Sequence, residues 1–150
     1  MAKLRVYLDT SVLSAYYDDR APDRQAQTEE FWKRLGDFEA ATSELTREEI
    51  GQTQDPGRRS LLLTLLDELT IYPITEETKE LARHYVTSGV FSLIMLNDAL
   101  HVAAAVLTRQ EVLLSWNFRH MVNRLRRARV NEVNIARRLS TIEILAPPEL

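Results

Sequence analysis

Three short stretches, far apart in the chain, each place an acid where a strand would hand over to a helix: LRVYLDTSVLSAYY, ATSELTREEI and LNDALHVAAAV. A fourth, VLLSWNFRHMVN, puts an amide in the equivalent place. Carboxylates gathered from separate motifs onto one sheet edge are the chemistry of a divalent cation site, because hard cations take oxygen ligands.

Each motif also has a plainer reading. Asp9 follows Val6-Tyr7-Leu8 and leads through Thr10-Ser11 into a helical pattern, so Asp9 or Thr10 can serve simply as a helix cap. Thr46 and Glu49 have capping-box spacing, which puts Glu49 in the first helical turn beside a strand end. Glu44 and Glu48 compete with Glu49 for any metal role. Asp98, preceded by Asn97, opens the apolar run Ala99 to Val106, where an acid gains ~0.3–1 kcal/mol from the helix dipole. A buried carboxylate left idle there is costly, however. His101 shares the face of Asp98 and reads as a packed or supporting histidine. Asn117, after Ser115-Trp116, alone reads as a cap for the following helix.

Alternating strand and helix patterns are needed to bring these motifs together. Strand signals fall near 4–8, 38–42, 69–74, 112–115 and 142–145. Helical periodicity covers 11–17, 23–35, 46–52, 58–68, 76–88 and 93–108, then runs from Phe118 onward with a break around Val130. Gly89 fits the stop of the 76–88 helix. The alternation predicts an α/β fold: a three-layer α/β/α sandwich on a mainly parallel sheet of about five strands. In such sheets the crevice at the carboxyl ends of the strands binds ligands, which is where Asp9 would stand.

The 150 residues suit one domain, residues 1–150, with 45% hydrophobic and 27% charged residues. With no cysteine, disulfides, thiolate metal sites and catalytic thiols are excluded. The N-terminus shows no signal-peptide pattern and no apolar run is long enough to cross a bilayer, so the expected place is the cytoplasm, away from membranes. Net charge is −3, yet residues 119–138 hold seven arginines against one acid, Glu132. The basic charge thus sits on one late segment, with Arg119 and Arg124 nearest the Ser115-Trp116-Asn117 edge.

In their order and spacing these motifs resemble the PIN-domain ribonucleases of the VapC toxin type, in the branch with a Ser-Trp-Asn-Phe-(Arg/Lys)-His run. The likeness spans almost the whole chain. It implies a PIN-like fold and a metal-dependent endoribonuclease acting as toxin of a toxin–antitoxin pair, leaving 5′-phosphate and 3′-hydroxyl ends. Carried over residue by residue, it implies Asp9, Glu49 and Asp98 as ligands for Mg²⁺ or Mn²⁺ and Asn117 as a fourth catalytic position. Thr10, Ser11, Asn97 and Ser115 would support the ligands or contact phosphate. It also implies an RNA substrate, a cognate antitoxin and a homodimer. An acidic site acting on that acidic polymer needs a basic rim, for which Arg119 and Arg124 are the expected phosphate contacts, while Trp116 or Tyr16 would stack a base or pack. Two departures stand out. Asn117 replaces the family's fourth carboxylate, and His120 stands where many relatives keep another Asp, which weakens a second metal site more than a first.

Two rival readings come from other classes. A PIN-like RNA-binding or partner-binding module without activity is suggested by Asn117 and His120 and opposed by the three retained acids. A phosphoryl-accepting receiver built on Asp9 would need a neighbouring acid and a late lysine, and no lysine follows Lys79.

Overall fold

The computed structural model describes residues 2–150. Five strands, β1 (Leu4–Leu8), β2 (Phe38–Ser43), β3 (Thr70–Tyr72), β4 (Val112–Leu114) and β5 (Glu143–Leu145), form one all-parallel sheet in the order β3-β2-β1-β4-β5. The helices are α1 (Thr10–Tyr16), α2 (Pro22–Lys33), α3 (Glu44–Gly51), α4 (Pro56–Leu65), α5 (Glu76–Thr87), α6 (Leu96–Leu107) and α7 (Arg124–Ala136). This is the three-layer α/β/α sandwich that the alternation predicts.

The central strand explains its own composition. Val6, Tyr7 and Leu8 are fully buried, because β1 is covered on both faces and therefore carries a continuous apolar run rather than an alternating one. Right-handed crossovers send α1 to α4 to one face and α5 to α7 to the other. The packing agrees: α1 lies on α2, α3 on α4 and α5 on α6. Tyr85 of α5 also donates to Asn134 of α7 at 2.5 Å. Successive connections leave β1 and β4 on opposite faces, which opens a crevice at the carboxyl ends of these two neighbours.

Helix α6 is the most buried helix because its small residues permit it to be: Ala99 and every residue from His101 to Val106 are buried. This holds its first turn, with Asp98, at the crevice. Helix α5 starts on a Thr75 cap that accepts from the Thr78 amide and stops where Gly89 takes a positive φ of 78°, a conformation glycine adopts freely.

Three boundaries differ from the sequence reading. The second acidic motif is not a capping box: β2 runs to Ser43 in extended conformation, and α3 starts at Glu44 with no intervening loop. Thr46 thus lies inside the helix, and Glu49 is in its second turn, not its first. Helix α6 begins at Leu96 after a separate short turn, Leu93–Met95, instead of running from 93. The late helix begins at Arg124, not Phe118, and continues unbroken through buried Val130. Residues 118–123 form an irregular turn, and Asn123, not Asn117, caps α7 by accepting from the Arg126 amide at 2.8 Å.

Candidate functional site

Asp9 leaves β1 and closes α1. Its Oδ1 accepts from the Ser11 amide at 3.0 Å and from the Ser11 hydroxyl at 2.5 Å. The capping reading of Asp9 is therefore correct, and the residue is also at the crevice. Ser11 Oγ accepts in turn from the Trp116 amide at 2.9 Å, while the backbone amide of Asp9 donates to Leu114 O at 3.1 Å. Two adjacent strand ends thus fix one carboxyl. Asp9 is only 4% exposed and has no ion-pair partner among the described residues. Burial pushes its carboxyl above the ordinary Asp value, with His101 and the Ser11 and Ser115 hydroxyls offsetting part of that.

Glu49 comes from α3 and is held by a chain of groups that crosses three elements. Its Oε1 accepts from the Thr10 hydroxyl at 2.7 Å and lies 2.6 Å from His101 Nε2. His101 Nδ1 lies 2.8 Å from the Tyr7 hydroxyl, which lies 2.7 Å from Ser43 Oγ. One direction satisfies every atom: Ser43 donates to Tyr7, Tyr7 to His101, and His101 to Glu49. Burial pushes the Tyr7 hydroxyl far up, which keeps it a donor. Burial also lifts Glu49, but His101 and Thr10 outweigh it and hold this carboxyl below its ordinary value.

Asp98, in the first turn of α6, is half-buried, and its Oδ2 lies 3.1 Å from His120 Nδ1. Burial lifts it, His120 offsets part of the lift, and the charge of Glu49 adds to it. Asp9 senses Asp98, and Asp98 senses Glu49, so the three acids share one electrostatic neighbourhood. Among the described residues no three acid or histidine side chains are drawn together into a ready-made metal cage. Instead, the hydrogen bonds that these acids receive fall on one oxygen of each: Asp9 Oδ1, Glu49 Oε1 and Asp98 Oδ2. The donor set is wholly oxygen, which fits a hard cation.

The remaining candidates divide. Glu44 pairs with Arg47 at 2.7 Å and Glu48 is exposed, which leaves Glu49 as the acid of α3 bound into the network. Ser115 is buried and its Oγ accepts from the Asn117 amide at 3.0 Å. Asn117 Oδ1 is spent on the His120 amide at 2.9 Å, so its side-chain NH₂ is what it can offer a ligand. Asn97 is exposed and lines a cleft with Glu44, Glu48 and Glu49. Trp116 is packing: it is buried and its Nε1 donates to Thr28 at 2.9 Å. Tyr16 packs edge-on against Trp32.

The basic segment also divides. Arg126 donates to the Val90 carbonyl and stands 4.7 Å over Phe91, Arg127 donates to the Ile144 carbonyl at 3.2 Å, and Arg137 pairs with Glu80. The side chains of Arg119 and Arg124 are exposed and have no hydrogen-bond or ion-pair partner among the described residues. Arg124 opens α7, whose first turn has no acid. A cation there opposes the helix dipole, so the fold gains nothing from it.

Sequence reasoning passed over the orienting roles of Tyr7 and His120. Tyr7 lies in an apolar run and reads as core. His120 was visible as a departure, but its partnership with Asp98 depends on the 118–123 turn.

The family model for the PIN domain matches residues 6–120. No curated protein matches the chain. Among solved structures, VapBC2 from Rickettsia felis bound to a DNA fragment from their promoter is 15% identical with a TM-score of 0.57, covering 94% of this chain and 97% of that one. A toxin–antitoxin complex from Klebsiella pneumoniae is 19% identical, TM-score 0.56, over 77% and 88%. DNA-bound VapBC from Salmonella typhimurium is 13% identical, TM-score 0.55, over 96% and 98%.

Proposed function

This chain belongs to the PIN domain family, and we propose that it is a VapC-type ribonuclease, a single PIN-like domain that hydrolyses RNA phosphodiester bonds with Mg²⁺ or Mn²⁺. The observation that carries this reading is the carboxyl edge of the sheet, where each of three coupled acids has its hydrogen bonds on one oxygen and where buried Asp9 lacks a cationic partner.

Asp9, Glu49 and Asp98 would hold the ion. When bound, such an ion supplies a nucleophilic water at neutral pH and offsets the charge that develops on the phosphate. The protein's own groups orient its ligands. Ser11 fixes Asp9, the Thr10 hydroxyl and the Ser43-Tyr7-His101 chain fix Glu49, and His120 fixes Asp98. Partners of this kind behind metal ligands typically matter 10–100-fold. The Asn117 NH₂ donates to a phosphate oxygen in place of the family's fourth carboxylate. Arg119 and Arg124 bind flanking phosphates. The preferred RNA is a loop or single strand, since side chains cannot read the deep groove of a regular duplex.

The likeness to toxin–antitoxin complexes supports a toxin role, with a cognate antitoxin and a homodimer as partners. Leu93 and Ile94, exposed on the turn just ahead of α6, supply apolar surface for such a partner. Among the described residues no helix is long and apolar enough to cross a membrane, and an RNA substrate suits the cytoplasm.

The test is cleavage of labelled structured and single-stranded RNA by purified protein in Mg²⁺, Mn²⁺ or EDTA. Cutting that needs the ion, leaves 5′-phosphate ends and is lost in Asp9→Asn and Asp98→Asn supports the reading. RNA binding without cutting under any ion would replace it with a PIN-like binding module.

A further inference from the structure

A cleft of about 580 Å³ opens beside Asp9, walled by α1, the start of α2 and the turn after β4. Its floor reaches the site itself through Ser11, whose hydroxyl holds Asp9, and through Asn117. Over its mouth the Arg24 guanidinium stands 5.5 Å from the Trp116 ring centre and 5.6 Å from that of Phe118. Trp116 is buried and tied to Thr28, but Phe118 is 46% exposed, an aromatic ring held edge-on against Trp116 at 6.1 Å. Arg24 is exposed and has no carboxylate within ion-pair distance among the described residues. The acid of this cleft, Asp18, is engaged by Arg20 at 2.9 Å. Arg119 adds a second unpaired cation to the wall.

A free guanidinium within cation–π distance of an exposed aromatic ring matches a ligand that is both flat and anionic. The cleft on the other flank of the acids is opposite in character: Glu44, Glu48 and Glu49 outnumber Lys79, and the rest of its wall includes Leu45 and Leu100. A polyanion is repelled there and drawn to the Arg24 side.

We propose that the Arg24–Phe118 cleft is a nucleotide subsite, in which Phe118 stacks the base next to the scissile phosphate and Arg24 with Arg119 holds the adjoining backbone phosphate. The assignment rests on the ribonuclease reading above and adds to it the side from which a single strand enters. Stacking on a ring requires an unpaired base, so the subsite selects single-stranded RNA and tolerates different bases.

The test is anisotropy of fluorescein-labelled single-stranded oligouridylate with the wild type, Phe118→Ala, Phe118→Tyr and Arg24→Ala. It is run in EDTA to prevent cutting, at several salt concentrations and alongside an abasic strand of equal length. Both side chains are exposed, so the alanine variants should keep the wild-type fold, checked by thermal melting. Phe118→Ala should weaken oligouridylate binding roughly tenfold or more and leave the abasic strand unaffected, with Phe118→Tyr close to wild type. Arg24→Ala should weaken both strands and lower the salt slope by about one. Equal affinities for wild type and both alanine variants overturn the assignment and leave the cleft as a protein-facing surface. Metal-dependent cutting by those same variants at the wild-type rate would then show that the ribonuclease reading survives without the subsite. A wild type that neither binds nor cuts RNA overturns both.

Discussion

At the amino end of the sheet Glu39 finds the Arg5 guanidinium at 2.8 Å, whereas at the carboxyl end Asp9 is more deeply buried and has no such partner among the described residues. Arg5 also donates to the Tyr72 hydroxyl at 3.1 Å and to the carbonyls of Thr108 and Arg109 at 3.1 and 3.2 Å. The fold therefore neutralises a carboxylate where structure is the only requirement. At the other end hydroxyls and imidazoles orient the acids, and two of the three carboxyls rest above their ordinary values through burial. On the proposed reading, the difference separates an end that is satisfied internally from an end whose acids await a cation.

The sharpest way to break this contrast is to remove charge at each end in turn. Asp9→Asn or Asp98→Asn should reduce Mn²⁺-dependent RNA cleavage by more than the ~10–100-fold usual for a group behind a metal ligand. Glu39→Gln should leave cleavage rates unchanged, and a loss comparable to that of the Asp variants would end the distinction.

A smaller effect is expected from Tyr7→Phe, which leaves His101 Nδ1 without its donor and frees Glu49 to reorient. Cation affinity by titration calorimetry should fall about 10–100-fold. The unpaired buried nitrogen should also cost about 1–3 kcal/mol of stability. Unchanged affinity would demote the Ser43-Tyr7-His101 chain to packing.

Without a cation, Asp9 should destabilise the fold. Because its folded value is raised by burial, the native state keeps a proton that the unfolded chain has already released. Stability then falls as pH rises from the unfolded value through the folded one, and the deficit is complete above the folded value. Asp9→Asn keeps the cap on α1 and removes the charge, so its melting temperature in EDTA at pH 7 should exceed that of the wild type by several degrees. The gap should close toward pH 4. A lower melting temperature for the variant would show that the carboxylate is stabilised in the apo protein.

The smallest effect belongs to the satisfied end. The Arg5–Glu39 pair is 35% and 55% exposed at its side chains, so Glu39→Gln should cost no more than about 1 kcal/mol. At about 2–4 °C per kcal/mol, the melting temperature should drop by only a few degrees at most.

The fold and the acid end were largely legible in the sequence, for physical reasons, whereas the Arg5–Glu39 pair was not. All five strands were visible because a covered parallel sheet needs continuous apolar runs, and β1 begins and ends where the pattern does. The start of α3 was misread because Thr46 and Glu49 match a capping box, yet Ser43 ends β2 and the helix follows at once. The late helix was misread because residues 118–123 contain no glycine or proline to mark a turn. It is held instead by Asn117 and Asn123, whose side chains accept from the His120 and Arg126 amides. Asp9 announced itself by standing at a strand end and Asp98 by opening an apolar helix, although no strand precedes that helix. Among their orienting partners His101 was legible as a packed or supporting histidine, whereas Tyr7 and His120 acquire their roles only when β1, α3, α6 and the 118–123 turn converge.

Mn²⁺ titration by calorimetry of the wild type, the Asp9→Asn/Asp98→Asn double variant and Glu39→Gln tests the central claim most directly, because it needs no RNA. The account predicts saturable binding by the wild type and Glu39→Gln and none by the double variant, with a melting temperature that rises only where binding occurs. Binding of equal strength in all three, or in none, would contradict it.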